Sequence, residues 1–132
     1  MCSVGDIIIV ENYSHNGINI NKHSFIVLND DAGQIQGLDY NLICNVMSSF
    51  KNEEQKKKKL SYPGNFPIVP EDCDSIQGND KSGYIKAEQL YYFNKEKIQY
   101  VVIGRLKEDI FNLLIEFIEE ELDSFEQIID NL

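Results

Sequence analysis

The chain has 132 residues, 42% of them hydrophobic and 11% aromatic, which suffices for one ordinary core and leaves no room for several. No uncharged apolar run approaches the roughly 20 residues of a membrane span, Met1 to Asp6 lack the basic start of a signal peptide, and Cys2, Cys44 and Cys73 are too few and too widely spaced for a disulfide framework or paired CxxC zinc ligands. The formal net charge of −10 argues on its face against a polyanionic partner, yet nine carboxylates and no Lys or Arg lie between Glu108 and Leu132, so the rest of the chain is nearly neutral. A single cytoplasmic domain with reduced thiols is expected.

Val4 to Glu11 is rich in β-branched residues and reads as a first strand; Asn12 to Asn21, with Gly17 and four asparagines, reads as a long turn. His23 to Asn29 gives a second strand, stopped by Asn29, Asp30 and Asp31. Leu42 to Phe50 is a weaker third. Residues 51–79 read as an insertion or long loop, with the basic run Lys56, Lys57, Lys58 and Lys59, three prolines, and a short edge strand at Phe66 to Val69. After a turn at Asn79 to Gly83, Tyr84 to Lys86, Gln89 to Phe93 and Gln99 to Leu106 are strand-like. Short strands without alternating helices indicate an antiparallel sheet or small barrel. Phe111, Leu114, Ile118, Leu122, Phe125 and Ile129 recur at steps of three and four, which predicts one amphipathic helix over 107–132.

In this order, several segments resemble the MazF/PemK family of type II toxin–antitoxin endoribonucleases. Val4-Gly5-Asp6-Ile7-Ile8-Ile9-Val10 is similar to its opening strand, His23-Ser24-Phe25-Ile26-Val27-Leu28-Asn29-Asp30 to its second, and Cys44-Asn45-Val46-Met47-Ser48-Ser49 to its third. Tyr84-Ile85-Lys86-Ala87-Glu88-Gln89-Leu90, then Val101-Val102-Ile103-Gly104-Arg105-Leu106 and a helix, resemble its closing strands and entry to the last helix; residues 51–79 have no counterpart. The resemblance implies a mainly β, SH3-like small antiparallel barrel with a C-terminal helix. It also implies a homodimer that cuts single-stranded RNA to 2',3'-cyclic phosphate and 5'-hydroxyl ends without a metal or cofactor, held inactive by a cognate antitoxin. Where the family pattern has a catalytic Arg this chain has His23, and where it usually has Thr this chain has Ser48; Lys22 and Ser49 are neighbours able to share those roles.

The replacements suit the chemistry, which needs proton transfer at the 2'-hydroxyl and leaving oxygen and donors around the phosphate. His23 is a base or acid near neutral pH, Lys22 a charge and Ser48 a hydroxyl donor. Successive strand residues point to opposite faces, so Lys22 and His23 do not both face one site, and His23 is the choice. His15 in the expected turn is a second proton carrier on a lid, and Lys56 to Lys59 steer RNA. Each also has a plainer reading: His15 as a solvated turn residue, the lysines as a solvated loop, and at least one of Tyr91, Tyr92 and Phe93 as core rather than base-stacking. Glu119, Glu120 and Glu121 fan out around a helix and do not converge on a metal. The alternative from another class is a non-catalytic binding module on the same barrel, either a degenerate family member or a relative that poisons a protein target such as gyrase.

Overall fold

The computed structural model describes residues 1–75 and 81–132, so the start of the expected turn at Asn79 to Gly83 and the end of the 51–79 segment lie outside the described residues. Strands β1 (Asp6–His15) and β2 (Ile18–Asn29) form one long hairpin, not two strands joined by a long turn. Asn16 and Gly17 both take positive φ, 55° and 76°. A two-residue turn of this handedness matches strand twist, and Asn-Gly adopts it at little cost, so pairing continues from Asn12 opposite Asn21 to His15 opposite Ile18. The polar residues there decorate an exposed ribbon.

A small separate hairpin follows, β3 (Gly33–Ile35) and β4 (Leu38–Tyr40), and then β5 (Leu42–Ser49), which is central to the main sheet. The charged segment after it folds as helix α1 (Glu53–Leu60). Asn52 Oδ1 accepts from the Gln55 N–H, Glu53 and Glu54 stand at the positive end of the helix dipole and Lys57 to Lys59 at the negative end, so charge itself supports the helix. β6 (Asn65–Ile68) realises the expected edge strand, and β7 (Cys73–Ser75) adds an unexpected one paired with β10; residues 51–75 are thus built structure and not one loop. β8 (Gly83–Lys86), β9 (Gln89–Phe93) and β10 (Tyr100–Leu106) complete the closing strands.

The main sheet runs β11-β9-β5-β2-β1-β10-β7, with β8 paired to both β5 and β6. It is mainly antiparallel but not a closed barrel: β7 and β11 end the path without pairing to each other. The cause is a fork at β5, whose first half pairs with β9 and second half with β8. Buried Asn45 sits at the fork, where its Nδ2 donates to the carbonyls of Ala87 and Gln89 at 3.3 and 2.9 Å and ties off the gap between β8 and β9.

Alternation gives the sheet two apolar faces. Ile8, Val10, Phe25, Val27, Cys44 and Val46 enter one core with Tyr91 and Phe93; Ile7, Ile26, Met47 and Ile85 enter a second, covered by Leu114 of helix α2 (Glu108–Glu121). This helix stops at Glu121, short of the expected 107–132. The last segment instead forms β11 (Glu126–Ile128), parallel to β9, and buries Ile128 in the first core. Phe125 and Ile129 continue the helical period without belonging to it, because edge pairing plus burial of Ile128 satisfies more of the chain than a helix running on into water. Among the described residues no helix is long and apolar enough to cross a membrane.

Candidate functional site

Residues from three strands meet where the pairing of β2 with β5 ends. Ser24 pairs with Met47 at the end of the β2–β5 register, so His23 and Ser48 lie one step beyond it on neighbouring strands. Across β5, Ser48 pairs with Tyr84 and Met47 with Ile85, which sets Lys86 abreast of Val46. Alternation then decides the faces. His23 follows Phe25 and Val27, and Ser48 follows Val46 and Cys44, all members of the first core, so His23, Ser48, Tyr84 and Lys86 emerge together at that core's rim. The ring geometry agrees: the His23 ring meets Tyr13 edge to face at 6.4 Å, and Tyr84 is buried and stacks on Phe50 at 5.2 Å.

His23 is half-buried. Its Nδ1 accepts from the Ser24 amide N–H at 3.0 Å, which assigns the proton of the neutral ring to Nε2. Burial pushes its pKa below the ordinary 6.5, and the positive charge of Lys86 adds to the effect. At neutral pH the ring is therefore uncharged, with Nε2–H as a donor, and the lone pair a base would use is engaged by the backbone.

At these strands opens a cleft of about 110 Å³, bordered by His23, Ser24, Met47, Ser48 and Ser49 and closed by Ile7, Ile68 and Ile103. Ile103 reaches it from a bulge where β10 slips against β1 between Ile7 and Ile8. Cys73 also lines the cleft, but its pKa is pushed up to about 11, first by burial and then by Asp72 and Asp74, so it is a thiol and a poor nucleophile. Gly83 completes the wall because a Cβ there would collide with the Ser48 carbonyl oxygen. Two shallower grooves extend the cleft. One shares His23 and Ser24 and reaches Lys22; the other shares Ser49 and Lys81 and reaches Lys51, Glu53 and Lys56. Among the described residues Lys22, Lys51 and Lys56 border this run together with Glu53.

The sequence-predicted residues are thus divided. His23 and Ser48 come together. Lys22 and Ser49 border the same strands, but by alternation they share the cleft side with Ser24 and Met47. Lys56 lies along the second groove, Lys57 and Lys58 point to solvent, and Lys59 Nζ stands 5.9 Å from the Tyr62 ring. His15 is elsewhere: its Nε2 is 3.0 Å from Glu126 Oε2 and its Nδ1 3.3 Å from the Tyr91 hydroxyl, so it ties the hairpin to β11 and is no lid. Tyr91, Tyr92 and Phe93 are all buried. Glu119 to Glu121 gather no metal-binding group, and none occurs among the described residues. Sequence reasoning missed Lys86, Ser24 and Lys81, whose placement depends on which strands pair. No family model, curated protein or solved structure matches this chain.

Proposed function

We propose that the chain is a MazF/PemK-like toxin that cleaves single-stranded RNA, its forked sheet an opened form of the SH3-like barrel the resemblance implies. The observation that carries this reading is that His23 and Ser48, two residues singled out on separate strands, border one cleft just beyond the Ser24–Met47 pair, with the charge of Lys86 acting on His23. In this reading the His23 Nε2–H and the Ser48 hydroxyl donate to non-bridging oxygens of the scissile phosphate, and Lys86 offsets the charge that builds there as the 2'-oxygen bonds to phosphorus, its proton passing to solvent water, while the P–O bond to the 5'-oxygen breaks and that oxygen takes a proton from water. His23 takes the place of the family's Arg as a neutral donor, which leaves the positive charge to Lys86. The lysines along the cleft and its grooves hold the flanking phosphates. Homodimerisation and restraint by an antitoxin belong to the same proposal, as does a site in the cytoplasm.

The engaged Nδ1 favours a second reading, a non-catalytic binding module on the same fold, because it leaves His23 without a free base. One assay separates the two. Purified protein is incubated with a mixed-sequence RNA in EDTA, and wild type is compared with His23→Ala, Ser48→Ala and Lys86→Met. The nuclease reading expects cyclic-phosphate ends from wild type and a loss of about 10²-fold or more in each variant that retains its fold. Intact RNA in every lane would replace it with the binding module.

A further inference from the structure

We propose that the groove between α2 and β6 docks a basic amphipathic segment of a partner protein, independently of any nuclease activity. The groove is lined by Phe66 from β6 and by Leu113, Glu116, Phe117, Glu120 and Glu121 from α2. The helical residues follow at i, i+3, i+4, i+7 and i+8, so they form one continuous stripe along the helix. This stripe borders the line through Leu114 that packs on the sheet: Phe117 and Phe66 are partly buried against that core, while Leu113 stands exposed beside them. Its apolar part is real: Leu113 is 52% exposed, and the Phe66 and Phe117 rings, 5.5 Å apart, form the floor.

The charge around it points to the occupant. α2 carries six carboxylates and no Lys or Arg, and Glu119, Glu120 and Glu121 crowd its C-terminal turn, the negative end of the helix dipole, where carboxylates are unfavourable. Among the described residues the ion pairs are His15–Glu126 and Arg105–Asp6, and neither reaches α2. An apolar stripe rimmed by uncompensated negative charge matches a segment whose apolar side chains enter the groove while flanking Lys or Arg meet the carboxylates. A second copy of this chain is a poorer match. Its own basic helix, α1, buries no residue and presents no apolar face to this groove.

The test uses a fluorescein-labelled synthetic helical peptide with Leu at i, i+3, i+4 and i+7 and Lys elsewhere, and a scrambled peptide of the same composition. Anisotropy titrations are run with wild type, Leu113→Ser and Glu116→Lys/Glu120→Lys, each checked for folding by circular dichroism. The expected result is binding of the patterned peptide at least tenfold tighter than the scrambled one, weakened tenfold or more in both variants. Equal binding of the two peptides, or variants that bind like wild type, would overturn the proposal. So would a wild-type dimer in sedimentation that Leu113→Ser dissolves, since the groove would then belong to a second copy.

Discussion

His23 is held as an uncharged imidazole by two features that no neighbour in sequence announces: burial beside Tyr13 and the charge of Lys86. Its folded pKa lies below the unfolded value near 6.5, so the unfolded chain binds the proton more readily. The contribution to stability is complete above about pH 6.5 and is lost as pH falls from there through the folded pKa. Urea midpoints measured from pH 7.5 to pH 5 should therefore fall more steeply in wild type than in His23→Gln; parallel curves would show that His23 is not perturbed. His23 and Ser48 were legible because each stands where an apolar alternating run meets polar sequence. Lys86 was not legible as a partner, because nothing local says that β8 pairs with β5.

At the scale of elements, local rules succeeded where one signal acted alone. The β-branched runs gave β1, β2 and β10, and the spacing of Phe111, Leu114 and Ile118 gave α2. They failed where two signals competed. In the hairpin the polar composition suggested a loop, while the Asn16-Gly17 turn decided for continued pairing. At the C-terminal end the helical period ran on through Phe125, while an open edge on β9 and room in the core for Ile128 decided for a strand. Ile128 is 3% exposed, so Ile128→Ala should cost about 2–5 kcal/mol in urea unfolding. A loss below that of an exposed-site control such as Ile18→Ala would mean that β11 does not close the first core. The lysine-rich composition of residues 51–79 suggests a solvated loop, whereas in α1 Lys57 to Lys59 act as helix-dipole partners.

For the whole molecule, charge is segregated: carboxylates concentrate on α2, and lysines line the cleft and its grooves. If those lysines hold RNA, affinity for a labelled single strand should fall with salt, and Lys51→Gln/Lys56→Gln should reduce the log–log slope by about 1.4, roughly 0.7 for each phosphate left without its lysine. An unchanged slope would remove the second groove from the RNA path. The clamp on the β1–β2 hairpin bears on how the protein is made. Asn131 accepts from the Ser14 N–H at 2.6 Å and donates back to the Ser14 carbonyl at 3.1 Å, while Asp130 accepts from the Gly17 N–H at 3.2 Å, across 113 to 117 residues of sequence. During synthesis the hairpin emerges from the ribosome long before the residues that clasp its tip and the Ile128 that fills its core. The sheet is therefore completed only after β11 has left the exit tunnel, and until then β1 and β2 present an apolar face that a chaperone can hold.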